Sequence, residues 1–426
     1  METVGIVGTG IAGMACARKI HRDVDLTLFE AELEPGGHTH TVDIREGSKE
    51  VPVDTGFMVY NQKTYPLLTG LFRELDVETC PTNMSFGVQF TPDNVEYCGS
   101  SLKQLFAQPL NTIRPRFLGM LRDVLRFNRL AVGCLADPDV LGMSLKEFAD
   151  KNRFGRPFLD YYLVPMTSAI WSTPPDAMLD FPAHTLIRFM YNHGLLGVRT
   201  HHQWRTVKNG SRSYRDKLIA PFKDRIRSGC AVRSVRKTGK GVQVRDATGE
   251  SHTFDKVVFA THADTTLRLL ENPDLREERL LACFPYAANS ITLHSDPSVM
   301  PRRKGAWASW NYRIDAVEGG AHQASTHYWM NSLQRLDTDT PYFVSVNDPG
   351  LIREDSILQR FTFDHPMFDK AAVEAQLELP LLNENGKVYF CGSYFRYGFH
   401  EDGLMSGYAA ADRLLSHIDA HAELVV

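Results

Sequence analysis

The chain is poor in cysteine, has no long apolar run and carries no surplus of charge, and each shortage removes a class of protein. Its seven cysteines (Cys16, Cys80, Cys98, Cys134, Cys230, Cys283 and Cys391) are odd in number, scattered, and never spaced as C-x-x-C. That excludes a disulfide framework or a zinc ribbon and reads as reduced thiols of a cytoplasmic protein. No run of 18 apolar residues occurs, so no membrane-spanning helix is expected. The first strand begins within four residues of Met1, so no signal peptide is expected either. With 47 basic against 51 acidic residues the formal charge is −4, which gives no general affinity for nucleic acid. What remains is a cytoplasmic protein, with peripheral attachment to the inner face of the cytoplasmic membrane left open. At 426 residues it exceeds a single small core, so two domains are expected.

What is present begins at Val4-Gly5-Ile6-Val7, a buried-strand pattern. Gly8-Thr9-Gly10-Ile11-Ala12-Gly13 follows, then a helical run to Ile20 and a second strand, Leu26 to Phe29, closed by Glu30. Strand, glycine turn, helix, strand and terminal carboxylate form a dinucleotide-binding unit. Gly8 permits the tight turn, Gly10 lets backbone approach a diphosphate, and Gly13 lets helix and strand pack closely. The N–H groups of Ile11 and Ala12 then face the phosphates at a helix N-terminus. Glu30 stands 20 residues after Gly10, where a carboxylate binds both ribose hydroxyls and repels a 2′-phosphate.

Beyond Glu30-Ala31 comes a second turn, Pro35-Gly36-Gly37-His38-Thr39-His40, and then Asp54-Thr55-Gly56-Phe57 at the end of a strand. The last informative stretch is Lys387 to Ser393, a strand ending in Gly392, followed by Tyr397-Gly398-Phe399-His400-Glu401-Asp402-Gly403-Leu404-Met405-Ser406-Gly407 and a helix to about Leu415. A helix starting at Gly403 would offer unpaired N–H groups to an anionic ring system.

Taken together these stretches resemble the flavin amine oxidase superfamily, which includes monoamine oxidases, protoporphyrinogen oxidase and phytoene desaturases. The resemblance implies an α/β fold: a discontinuous Rossmann-like FAD-binding domain of amine-oxidase type with an α+β substrate domain. It places the FAD domain at 1–85, 205–270 and 383–426 and the substrate domain at 86–204 and 271–382. FAD contacts are implied for Gly8, Gly10, Ile11, Ala12, Gly13, Glu30, Ala31, Gly36, Gly37, His38, Thr39, Thr55, Gly56 and Phe57. The same resemblance adds Val232 (backbone to adenine), Ala260, Gly392, Ser393, Asp402, Gly403 and Leu404. Two positions depart from the family. His38 stands where Arg is usual, and Ser393 where Glu or Asp is usual. His38 and His40 read equally as turn histidines facing solvent, and no third ligand nearby suggests a metal.

Residues 62–204 lose the strand–helix alternation and are expected to be mostly helical. Between Ser101 and Ala131 six basic residues (Lys103, Arg114, Arg116, Arg122, Arg126 and Arg129) face one acid, Asp123. Apolar residues from Phe117 to Phe127 alternate with these arginines at helical spacing. One reading is a core-facing helix with a solvated basic face. Another is a helix lying on an anionic membrane over residues 114–131, and a homodimer face is a third. Met300 to Lys304, with Trp307, Trp310 and Tyr312, reads as a second interfacial stretch. Tyr161 to Trp171 is read either as plain core or as the wall of an apolar tunnel.

The turns at 36–41, 54–61 and 397–403 further resemble a narrower bacterial group. Its members are FAD oxidoreductases encoded beside cyclopropane-fatty-acid-synthase-like methyltransferases, and they include a methylated-lipid desaturase of furan fatty acid synthesis. That likeness implies dehydrogenation of a methyl-branched unsaturated acyl chain on a phospholipid, with hydride passing to flavin. His400 is the first candidate base, followed by Glu401 and Tyr60. Two other readings stand beside it: oxidation of an amine or another small soluble metabolite, and a non-catalytic lipid-handling protein on the same fold. The electron acceptor stays open, with oxygen among the candidates.

Overall fold

A computed structural model describes residues 1–172, 174–197, 200–316, 322–384 and 386–425. Two sheets organise it. The first has five parallel strands in the order Ile226–Arg227, Asp25–Phe29, Thr3–Val7, Lys256–Phe259 and Val388–Phe390. Its strands are short and apolar because both faces are covered, and Val4, Ile6, Val257 and Val258 have no exposed surface. The first helix, Ile11–Ile20, covers one face, and the C-terminal helix, His400–Val425, packs on that helix.

Small residues set the closeness of this pairing. A Cβ at Gly407 would collide with the Ala12 carbonyl oxygen, and one at Gly403 would come within 2.7 Å of the Ile11 side chain. The strands of this sheet come from three separated stretches of chain, 3–29, 226–259 and 388–390.

The second sheet has seven strands, ordered Ile357–Pro366, Tyr286–His294, Phe343–Val346, His322–Trp329, Trp310–Ala316, Phe86–Phe90 and Val95–Cys98. Every pairing is antiparallel except Trp310–Ala316 against Phe86–Phe90. The expectation that 62–204 is mostly helical therefore holds only beyond Cys98. Thr79–Thr82, Phe86–Phe90 and Val95–Cys98 are strands. Phe86-Gly87-Val88-Gln89-Phe90 alternates weakly, and partners more than 200 residues away make it a sheet member.

The basic helix runs Pro115–Cys134, with proline at its first position. Phe117, Met120, Phe127 and Ala131 are buried, whereas Leu118, Leu125 and Val132 are exposed. Tyr161, Leu163 and Met166 to Ala169 are buried, with Tyr161, Leu163, Met166 and Ala169 in apolar clusters. The second basic-aromatic stretch is corrected. Trp310 and Tyr312 lie on a strand and are buried and Trp307 is half-buried, so Arg302, Arg303 and Lys304 are the exposed named residues of that stretch.

Candidate active site

At the end of the first strand the backbone turns through Gly8 with φ 99°, a left-handed conformation that suits glycine. A Cβ at Gly13 would collide with the Gly8 carbonyl oxygen, so this glycine seats the helix on the turn. Gly10 differs: a Cβ there would meet nothing within 4 Å. It is also the N-cap of the first helix and offers no side chain to the free N–H groups of the first turn. The helix thus begins at an open, uncapped end, suited to an anion.

Three other segments close around that end. Glu30 accepts from the Thr9 hydroxyl and from the Thr9 N–H at 3.0 Å, and its second oxygen takes the Glu32 N–H at 3.0 Å. Ala31 beside it is exposed. The Gly36-Gly37 turn comes next, with φ values of 133° and 55°. A Cβ at Gly37 would stand 3.3 Å from Gly10 Cα, so the second glycine turn leans on the first. Arg215 braces it, donating to the Pro35 carbonyl at 2.9 Å and pairing with Glu34 at 3.2 Å. The third segment is Ala260, whose carbonyl would be 2.9 Å from a Cβ at Gly8. Val232 opens the strand Val232–Thr238 beside the Glu30 end, where the Cys230 N–H reaches the Glu30 carbonyl at 2.7 Å.

His38 follows the second turn. Its ring lies 4.9 Å from Phe363, 5.4 Å from His365 and 6.3 Å from His262, and its buried Nε2 has no hydrogen-bond partner. Burial first, then the nearby His365 and His262, hold the His38 imidazole well below the usual histidine range. His40 points elsewhere. Its Nδ1 meets Thr55 Oγ1 at 2.6 Å and its ring packs on Phe361. The two histidines therefore share no ligand point. Among the described residues the one cluster with metal-ligand spacing is Asp246, Glu250 and His252, which includes neither.

Asp54-Thr55-Gly56-Phe57 ties these parts together. The Phe57 N–H donates to the His38 carbonyl at 2.7 Å and the Thr55 N–H to the His40 carbonyl at 3.0 Å. A Cβ at Gly56 would strike the His38 carbonyl oxygen. The buried Asp54 carboxylate accepts from Thr41 Oγ1 (2.6 Å), Ser211 N (2.8 Å), Ser211 Oγ (2.9 Å) and Gln334 Nε2 (2.7 Å). Gln334 ends the short helix Met330–Leu333 beside the seven-stranded sheet, so Asp54 ties residues 280 positions apart. Burial raises its carboxyl to about 6 despite those donors.

At the C-terminal anchor the helix begins at His400, three residues before the expected start. The Gly403 N–H is already bonded to Phe399 O at 3.0 Å, and Asp402 accepts the Phe399 N–H at 2.9 Å. The Asp402 side chain, accepting the Phe399 N–H, caps this earlier start. Gly403 and Leu404 consequently lie inside the helix, with Leu404 in the core. Gly392 donates its N–H to Ser406 Oγ at 2.9 Å, and the Ser393 carbonyl accepts the Gly398 N–H at 3.1 Å. Burial pushes the Asp402 carboxyl up to about 7.

The three candidate bases are distributed as follows. His400 stacks on Phe57 with ring centres 3.9 Å apart, and its Nε2 meets the Tyr214 hydroxyl and, at 3.3 Å, Thr39 Oγ1. Thr39 Oγ1 and Tyr214 Oη are 2.6 Å apart, closing a three-membered polar cluster. Burial lowers His400 to about 3, so it is a neutral imidazole near pH 7. Glu401 is committed to structure, accepting the N–H groups of Leu67 and Leu68 at 2.8 and 2.9 Å at the start of the helix Pro66–Glu74. Tyr60 lies in the core against Tyr65 and Phe72, its hydroxyl on Thr79 at 3.2 Å.

Sequence reasoning did not find Tyr214, Arg215, His262 or His365. No motif spacing marks them; each meets its partner across more than 150 residues. A cofactor with a diphosphate fits this arrangement. The open Gly10 end, the Gly36-Gly37 turn that leans on it and the Glu30 carboxylate bonded to Thr9 lie together at the start of the first helix.

The sequence pattern described as "Flavin containing amine oxidoreductase" matches residues 11–293, well over half of the chain. The chain belongs to this family. Its cofactor is FAD. No curated protein sequence matches the chain. Solved structures do. Cyclohexylamine oxidase from Brevibacterium oxydans IH-35A aligns with TM-score 0.71 at 16% identity, over 98% of this chain and 99% of that one. A CLA-producing fatty acid isomerase from P. acnes aligns with TM-score 0.66 at 11% identity, over 97% and 98%. A putative protoporphyrinogen oxidase from Exiguobacterium sp. 255-15 aligns with TM-score 0.62 at 15% identity, over 98% and 99%. At such identities the likeness concerns the fold, and the family's substrates differ widely on it.

Proposed function

We propose that this family member dehydrogenates a methyl-branched unsaturated acyl chain of a membrane phospholipid. The observation that carries this reading is the aromatic setting beside His400, in which the carboxylates among the described residues are already engaged by hydrogen-bond donors. Phe399 stacks with Phe189 at 5.2 Å and lies 6.5 Å from Trp171; His193 stacks on Phe189 at 3.9 Å and faces Trp204 at 6.1 Å. Burial holds His193 at about 4, so it too is uncharged. The neighbouring carboxylates are occupied. Glu401 and Asp402 cap helix N-termini, and Asp54 holds Ser211 and Gln334. Among the described residues a protonated amine finds no unengaged carboxylate here, whereas an acyl chain requires none. The fold likeness to a fatty acid isomerase is consistent with such a ligand.

FAD, when bound, supplies the hydride acceptor. The chain's residues place the substrate in an aromatic setting, exclude water and hold a base. His400, held at Nε2 by Tyr214 and Thr39 and stacked on Phe57, is the residue to which we assign the proton lost from the substrate. Anaerobic addition of phospholipid with methyl-branched unsaturated chains is expected to bleach the flavin absorbance, and alkylamines are not. The reverse result would establish the amine reading. Bleaching by neither, with FAD bound, would remove both. His400→Asn is expected to keep the flavin spectrum and slow bleaching by about 100-fold or more; an unchanged rate would dismiss His400 as base.

A further inference from the structure

We propose that the outward face of the Pro115–Cys134 helix, with the turns at its N-terminal end, docks on an anionic phospholipid bilayer. Leu118, Leu125 and Val132 are 42%, 52% and 47% exposed and recur every seventh residue, so they line one stripe. Exposed Arg122 and Arg129 lie on the same side, while Phe117, Met120 and Phe127 take the opposite side into the core. At the N-terminal end Leu102, Leu110 and Ile113 are 76%, 50% and 73% exposed, an unusual density of bare aliphatic side chains.

Tertiary structure adds a second basic segment to this end. A Cβ on Gly305 would lie 3.2 Å from Ala107, and the Arg302 N–H donates to Glu96 beside the same turns. Arg302, Arg303 and Lys304 are therefore brought next to Leu102 and Lys103, although about 200 residues of sequence separate them.

The charge on this face is one-sided. Glu96 and Asp123 are buried beneath it, and Asp93 is engaged by Arg116 at 3.0 Å. The ion pairs of the described residues leave Lys103, Arg129, Arg302 and Lys304 without a carboxylate. Acid recurs only past the end of the helix, at Asp137 and Asp139. Aliphatic side chains interleaved with arginine match a surface that is apolar below and negative above. They do not match a second copy of this chain, because a two-fold contact would set the arginines against themselves. On the buried side Phe127 and Ala131 join the apolar cluster of Trp171 and Phe189, and Phe117 and Met120 join that of Val88 and Tyr312, so the helix is fixed to the body of the protein from beneath. The docking proposal does not depend on the acyl-chain reading, and it is tested without substrate.

The test is co-sedimentation of the FAD-loaded full chain with vesicles of phosphatidylcholine, alone or with an equal share of phosphatidylglycerol. Binding is expected to be at least about tenfold stronger with phosphatidylglycerol and to weaken in high salt. The exposed-residue variant I113S/L118S/L125S is expected to lose about tenfold or more while keeping its flavin content and circular dichroism. The control L275S/L377S, altered at leucines exposed elsewhere, is expected to bind unchanged. Protein that stays in the supernatant with anionic vesicles overturns the proposal. So does triple-variant binding equal to the parent, or a dimer in ultracentrifugation that L118S/L125S dissociates.

Discussion

The two ends of the cofactor domain carry signatures of the same kind, glycines at a helix start, yet the structure uses them in opposite ways. At the N-terminal turn Gly10 faces open space and its helix is uncapped. At the C-terminal anchor Gly403 and Gly407 are filled by Ile11 and Ala12 of the first helix, and Asp402 caps the first turn. One glycine leaves room for a ligand; the others let two helices touch. A glycine in a motif therefore says that a side chain is unwelcome, and only its neighbours say whether ligand or protein takes the place.

That contrast can be broken most forcefully at Gly407. Valine there would drive a branched side chain into backbone, which cannot give way as a side-chain tip can. Gly407→Val is expected to lose about 4 kcal/mol or more, or to be insoluble. A thermal melt within a few degrees of the parent would show that the two helices can part.

The next test concerns the capping acid. Burial raises the Asp402 carboxyl from 3.8 to about 7, so its stabilising contribution is complete below about pH 4 and is lost as pH rises to about 7. Asp402→Asn, which stays neutral and still accepts the Phe399 N–H, is expected to match the parent at pH 4. At pH 8 it should exceed it by roughly 2–4 kcal/mol. Chemical denaturation at the two pH values measures the difference, and equal gains at both would show that charge is not the cause.

Asp54→Ala is expected to cost about 2–4 kcal/mol, since Ser211 and Gln334 are left with buried unpaired donors. Denaturation that remains a single transition of near-parent midpoint would show that this tie is dispensable. The smallest stability effect is expected at Gly10. Its backbone (φ −63°, ψ 178°) accommodates alanine, so Gly10→Ala should shift stability by less than about 1 kcal/mol. Its FAD affinity, read by titration of apoprotein, is expected to fall by about tenfold or more, because the added methyl takes the space left for a diphosphate. Unchanged affinity would mean that the open space at Gly10 is not where the phosphates lie.

Much of the cofactor domain was legible before any coordinates. The strands at 3–7, 25–29, 256–259 and 388–390 stand where alternation and buried-strand runs put them, and Gly8 and Gly13 occupy the tight positions expected of them. The substrate domain was less legible because its sheet depends on partners far along the chain. Phe86–Phe90 lies beside Trp310–Ala316, and no local pattern encodes that pairing. Glu401 and Tyr60 illustrate the same limit, since residue type suggested chemistry where geometry assigns a helix cap and a core contact.

By itself the sequence determined what depends on backbone freedom and short spacing: the glycine turns, the helix after the first turn, the acidic end of the second strand, and hence a dinucleotide site of flavoprotein type. Tertiary structure alone decided what depends on burial and on distant partners. It made His400 a neutral imidazole held by Tyr214, 186 residues away, and left the Nε2 of His38 without a partner among other histidines. It also turned Leu118 and Leu125 outward while Phe117 and Phe127 turned in. The physical reason is that proton affinity and exposure belong to an environment, and an environment exists only once the chain has closed around it.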